Sequence, residues 1–245
     1  MKYIQSSLIA SLLICTLRFA AAQETGDCGR NDKTIDQIIK ACQSIIKSKD
    51  KTDREVAIAA RRVGLLLKLD KKGSPEEVIG YLLLSAKKGY SSSFANIGDL
   101  YRTGYKNLKP DYEKALYYYR QDEGISITQL EGVGEMFLNG QGLEKSIEKA
   151  LSNFRMVAYL DEDNSSIRDR LCDIFQSGKY IERDIVKAYF WCSSAVDAES
   201  YPVLKGMYEN QRLKLEMQLE KTQLIEANKL INECKKTSLL FCIKP

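Results

Sequence analysis

Histidine is absent from all 245 residues. Mechanisms that move protons through imidazole, the Ser-His-Asp and Cys-His nucleophilic systems among them, are therefore excluded. No Cys-x-x-Cys pair occurs either, so the spacing and nitrogen ligands of a zinc site are both missing and no metal or other cofactor is expected. Prolines number four and glycines fifteen, few enough, beside long stretches of Leu, Ala, Lys and Glu, to favour helices over strands. Charge of one sign is not in excess. The net charge is +4 and the Lys pairs are interleaved with acids, which leaves no basic stripe for a nucleic-acid partner.

Long apolar runs are also lacking. SSLIASLLICTL falls short of the roughly 20 residues of a spanning helix, but it stands between Lys2 and the small residues Ala20 to Ala22. That order is the one of a secretory signal peptide, with cleavage expected after Ala22. Residues 1–22 are read as this leader, and no membrane insertion is expected after its removal. Loss of Lys2 and Arg18 takes the net charge to +2. Cys15 follows Ile14 where a lipidation site calls for a small residue, so it reads as apolar leader sequence.

Export changes the reading of the cysteines, because thiols outside the cytosol tend to pair. Six remain without Cys15, and fifteen connectivities are open in principle. Three pairs are close in sequence: Cys28 with Cys42, Cys172 with Cys192, and Cys234 with Cys242. Each would staple a short loop.

What the chain does have is a repeat. NGQGLEKSIEKALSNF (Asn139–Phe154) and SGKYIERDIVKAYFWC (Ser177–Cys192) share a leading Gly, a branched apolar residue three later, Ser or Asp six later and a Lys-Ala step. FANIGDLYRTGYKNLKPDYEKALYYYR (Phe94–Arg120) follows the same plan, and a degenerate earlier unit aligns Val63, Gly64 and Leu67 with the first part and VIGYLLLSAKKG with the second. Gly104, Gly140 and Gly178 are 36 and 38 residues apart, the period of stacked helical hairpins.

Each repeated position has a task in such a hairpin. Ile97, Leu100 and Tyr101 make a buried stripe, and Gly64, Gly98, Gly134 and Cys172 let the partner helix come close. Gly104, Gly140 and Gly178 end the first helix in a left-handed conformation. Asp111, Ser146 and Asp184 cap the second. Ala115, Ala150 and Ala188 keep its inner face thin, and Tyr118, Tyr119, Phe154 and Trp191 are expected to fill the space between hairpins. Leu213, Leu219, Leu224, Ile225 and Leu230 give the tail helical spacing, as a cap for the last repeat's apolar side.

This pattern resembles the Sel-1-like repeat family, a relative of the tetratricopeptide repeats, over about Ala57 to Ala198. The resemblance is strongest in GQGLEKSIEKALSNF and GKYIERDIVKAYFW; Tyr180 in place of a second Gly, and Asp122-Glu123 in place of small residues, depart from it. Asp27–Leu67 resembles the opening helices of exported bacterial repeat proteins of the tetratricopeptide type. The implied fold class is all-α, an α-solenoid of stacked antiparallel helix pairs. The expected organisation is a leader (1–22), an N-terminal capping region (23–56), about four repeats (57–200) and C-terminal capping helices with a tail (201–245).

The resemblance implies a non-catalytic scaffold or adaptor whose partner is a protein or peptide. Outward positions on the first helices, Asn96, Asp99 and Thr103, then Glu135 and Asn139, then Arg170, Asp173 and Ser177, are the candidate binding wall of a superhelix. Some cysteine-rich relatives of this kind are linked to penicillin binding or β-lactam hydrolysis, and a secreted effector binding a host protein is a further alternative. Against catalysis, the Ser-x-x-Lys matches at Ser85 and Ser146 lack a following Lys-Thr-Gly. Asp161, Glu162 and Asp163 read as a solvated loop, and Tyr117 is the freest of three adjacent tyrosines.

Overall fold

Oxygen-bearing side chains stand before most of the helices and set where each begins. The computed structural model describes residues 26–30 and 32–236. The expected leader, and Cys242 with the bridge read for it, lie outside that range. Among the described residues there are eleven α-helices: α1 Ile35–Lys47, α2 Asp53–Leu69, α3 Pro75–Lys87, α4 Ser93–Thr103, α5 Tyr112–Gln121, α6 Ile127–Asn139, α7 Ile147–Leu160, α8 Ser165–Ser177, α9 Ile185–Ala198, α10 Pro202–Glu216 and α11 Lys221–Lys236. A single 3-10 turn, Gly26–Gly29, precedes them. No strand is found among the described residues, and the fold is all-α, built from solenoid-type helix pairs.

Thr34 and Thr52 close reciprocal capping boxes with Gln37 and Glu55. Ser74 caps α3 ahead of Pro75 at its first position, where the missing N–H has no intrahelical use. Asp111, Ser146 and Asp184 accept from the backbone N–H groups of Lys114, Lys149 and Lys187. Their own N–H groups reach back to the carbonyls of Tyr101, Phe137 and Phe175 at 2.7, 3.0 and 3.0 Å. One residue in each repeat thus starts the second helix and satisfies a carbonyl left open at the end of the first.

The chain divides into two compact units whose sequences meet at Gly124 and Ile125. In the first unit, α2 pairs with α3 and α4 with α5, while α1 lies on α2. Cys28 and Cys42 are bonded, with Cα atoms 4.7 Å apart, which pins the 3-10 turn to α1. Both are fully buried in a core with Ile38, Val63, Val78, Leu82, Ile97 and Leu100. In the second unit, α6 pairs with α7 and α8 with α9, and both α10 and α11 pack on α9. Its core includes Leu138, Phe154, Leu171, Ile174, Trp191, Leu215 and Ala227.

Where the two helices of a hairpin come closest, each repeat solves the same steric problem. A Cβ added at Gly98 would stand 2.7 Å from the Tyr119 ring, and one at Gly134 would stand 2.5 Å from the Phe154 ring. The fourth repeat has Cys172 at this place, and Cys172 is bonded to Cys192 with Cα atoms 5.2 Å apart. The glycine-under-ring contact and the disulfide are alternative fillings of one close approach.

Three expectations change in detail. Gly140 and Gly178 are left-handed, but Gly104 combines φ 75° with ψ 161°, because the chain leaves α4 extended toward the Tyr105–Leu108 bridge. Tyr119 and Phe154 fill space within their hairpins rather than between them, since each lies over its own glycine, and Tyr118 stays part-exposed, stacked on Tyr101 at 5.5 Å between ring centroids. In the tail, Leu213 and Ile225 are exposed, and Leu215, Ala227 and Cys234 are buried instead.

Candidate functional site

The outward residues of the first helices are not independent of one another, because within each unit side chains reach from one first helix to the next. In the first unit Arg61 Nε on α2 donates to Asn96 Oδ1 on α4 at 3.2 Å. Asp99 is taken up locally: it accepts from Tyr119 Oη at 2.9 Å and from Arg102 Nη2 at 3.0 Å. Burial, with the charge of Asp99 beside it, raises the Tyr119 phenol far above its usual range, so it acts as a fixed donor. Thr103 is exposed and donates to the Asp99 carbonyl.

In the second unit the candidates form a ladder of two rungs, one from α6 to α8 and one from α8 to α10. Arg170 on α8 binds Glu135 on α6 through two bonds, Nε to Oε1 at 2.8 Å and Nη2 to Oε2 at 3.0 Å. Asn139, one turn along, donates to the same glutamate at 3.0 Å. Asp173 then accepts from Gln176 at 2.8 Å and from Gln211 of α10 at 3.1 Å. Ser177 is exposed at the end of α8 and accepts from the Lys179 N–H. Glu135, Asn139 and Arg170 are thus joined directly, Asp173 is tied to α10 and Ser177 stands apart at the end of α8, whereas Asn96, Asp99 and Thr103 belong to the other unit.

The contribution of α10 was missed in the sequence, where the segment reads only as a cap. A signal was available: Gln211 follows Asp173 by 38 residues, the spacing that separates Gly140 from Gly178. Between the end of α8 and α10 lies an open groove of about 670 Å³, lined by Gln176, Ser177, Arg183, Asn210, Lys214 and Gln218 with Met207, Gln211 and Leu215.

The residues weighed for catalysis are engaged elsewhere. Ser85 is fully buried against Ser93 at 2.8 Å, and Ser146 holds its helix cap. Beside the acidic loop sits an unexpected residue, Arg168. It is buried and donates to the carbonyls of Ala158, Asp161 and Asn164 and to Ser194, so it ties the end of α7 to α8 and α9. Burial lowers its pKa. Among the described residues no cluster of Cys, Asp and Glu side chains could hold a metal ion, and no helix is long and apolar enough to cross a membrane.

Asp169 is a carboxyl whose pKa is raised strongly. Its Oδ1 meets no hydrogen-bond donor, and burial, then the charge of Asp173, pushes its pKa up to about 6. An acid with a folded-state pKa above its unfolded value binds more protons when folded, so stability falls as pH rises from about 4 to about 6. Asp169→Asn is expected to remove that fall and to raise the urea midpoint at neutral pH. A slope like the wild type's in the variant would contradict the assignment.

Paired antiparallel helices with a recurring cap, a recurring glycine and side-chain rungs between successive first helices define a helical-hairpin repeat protein. Residues 95–121, 131–161 and 169–200 match the family model described as Sel1 repeat, and these segments coincide with α4–α5, α6–α7 and α8–α9. The degenerate pair α2–α3 lies outside the matched segments. A crystal structure of a Sel1 repeat protein from Oxalobacter formigenes is similar in fold, with TM-score 0.51 at 20% identity over 81% of this chain and 82% of that one. A protective antigen of uropathogenic Escherichia coli strains displaying an SLR fold aligns over 87% of this chain and 51% of its own, with TM-score 0.43 and 18% identity. Among curated proteins, the ERAD-associated E3 ubiquitin-protein ligase component HRD3B of Arabidopsis thaliana is 28% identical over 115 residues, 46% of this chain. The chain spans only 18% of that relative's length.

Proposed function

We propose that the protein is an exported, non-catalytic scaffold, periplasmic or secreted, that binds another protein through the outward residues of its first helices. The observation that carries this reading is the pair of polar rungs from α6 to α8 and from α8 to α10 beside an open groove. Inward positions are consumed by packing, while this face offers many directional hydrogen-bonding groups. Sel1-repeat proteins generally act as interaction scaffolds, and the relative from Arabidopsis thaliana is described as a component of a ligase assembly. Two bridges in the described chain support an oxidising compartment, and fractionation of the source cells separates periplasm from medium.

The test is capture of a partner by the immobilised chain lacking residues 1–22. Asp99 is a poor probe, because its carboxylate holds Tyr119 and Arg102 in place. Asn139→Lys together with Ser177→Glu changes exposed positions and is expected to weaken capture about tenfold or more, equivalent to about 1.4 kcal/mol. Undiminished capture by this variant would place the contact on another face.

A further inference from the structure

The groove between α8 and α10 differs from the rest of the surface in the balance of its lining. Two cations, Arg183 and Lys214, stand in it, and no acid lines it. Neither cation makes an ion pair among the described residues. Arg183 donates from Nε to the Gln176 carbonyl at 3.1 Å and from Nη2 to Gln218 Oε1. Gln218 in turn donates to the Lys214 carbonyl at 2.7 Å. The guanidinium is therefore held at the groove by neutral acceptors, which leave its charge uncompensated. The Lys214 ammonium and the Asn210 amide have no hydrogen-bond partner among the described residues.

One acid stands behind the lining: Asp173 accepts from the neutral amide N–H groups of Gln176 and Gln211 and keeps its charge, so the two groove cations outnumber it, while Glu216 accepts from Tyr189. The same bonds orient the groove. With their Nε2 atoms committed to Asp173, Gln176 and Gln211 keep their side-chain Oε1 atoms as acceptors. Asn210 offers both a donor and an acceptor, the pair that matches one peptide unit of an extended chain. Leu215 is buried at the base, and Met207 at the rim is 61% exposed, so an apolar surface lies under the polar groups. The cavity of about 670 Å³ is within the range of sites that enclose a few residues of ligand.

We infer that this groove binds an extended peptide segment carrying acidic side chains, with Arg183 and Lys214 meeting the carboxylates and Asn210, Gln176 and Gln211 meeting the backbone. This rests on the scaffold reading above and names the partner chemistry of its C-terminal part. Charge complementarity selects an acidic segment, because uncompensated cations at close range raise both the encounter rate and the cost of a like-charged partner.

The full chain lacking residues 1–22 is incubated with an array of random unstructured peptides, beside the variant Lys214→Glu. Lys214 has an exposed side chain with no partner to lose, so the variant is expected to keep the wild-type melting curve and is checked for it. Retained peptides are expected to be enriched in Asp and Glu for the wild type, with the enrichment lost in Lys214→Glu. A retained peptide should bind the variant about tenfold more weakly, and the difference should shrink with added salt. Retained peptides no richer in acids than the input, no retention at all, or equal binding by the variant would each overturn the inference. If the immobilised chain and Lys214→Glu still capture one partner protein equally while acidic peptides fail, the groove assignment falls and the scaffold reading stands.

Discussion

Phe154→Ala is expected to remove about 3–5 kcal/mol of stability, the usual cost of emptying a buried aromatic site. The ring is fully buried between Leu138, Leu151, Leu171 and the rest of the second unit's core, and its edge lies against the bare Cα of Gly134. The surroundings cannot collapse into the vacated volume without pulling α6 away from its own caps. The pair makes a sharper test than the single change. Gly134→Ala alone pushes a methyl to 2.5 Å from the ring, an overpacking expected to cost about 1–3 kcal/mol against the helical gain of about 1 kcal/mol from replacing Gly. With Phe154 already truncated, the methyl has room and the same change should become favourable. Urea denaturation of the two single variants and the double variant measures this coupling. Additive effects would mean that α6 and α7 do not meet at this contact.

The second large effect is expected from Cys172→Ala with Cys192→Ala, at about 3 kcal/mol for a loop of this length in the chain-entropy account. Both sulfurs are buried, and Gln211 of α10 lies 3.6 Å from the Cys172 sulfur, so the loss should also loosen the C-terminal helix and the groove beside it. The register adds a discriminating variant. Cys172 and Cys192 are separated by 20 residues, as are Gly134 and Phe154. If bridge and glycine-under-ring contact are interchangeable, Cys172→Gly with Cys192→Phe should recover part of the stability that the alanine pair loses. Thermal melts under non-reducing conditions compare the three chains. A glycine-phenylalanine variant no more stable than the alanine pair would show that the fourth hairpin has a closeness of its own.

Most of this architecture could be read from the sequence because the determinants are local and repeat. Asp111, Ser146 and Asp184 act through bonds to residues three positions on, and Gly140 and Gly178 act through their own φ, so each leaves a mark at a fixed offset. The bridging cysteines could be paired because the hairpin brings their positions together. Less of the candidate binding face was legible. Polar positions on a helix can be listed from periodicity, but whether Asp99 faces a partner or its own Tyr119 depends on a contact 20 residues away. Arg168 carries no sequence mark of its role either, since buried arginines differ from solvated ones only by the carbonyls that surround them. In α10 the repeat signal had decayed, with Leu213 exposed and Leu215 buried, and a helix read for its apolar spacing alone did not reveal that it extends the polar ladder.

The account stands on the pairing of first and second helices in register, with the disulfide at the place where other repeats have glycine and a ring. Proteolytic mapping of the oxidised protein under non-reducing conditions tests it most directly. It should return one peptide pair joining Cys172 to Cys192 and another joining Cys28 to Cys42. Free thiols at Cys172 and Cys192, or a link from either to a cysteine of the first unit, would contradict it.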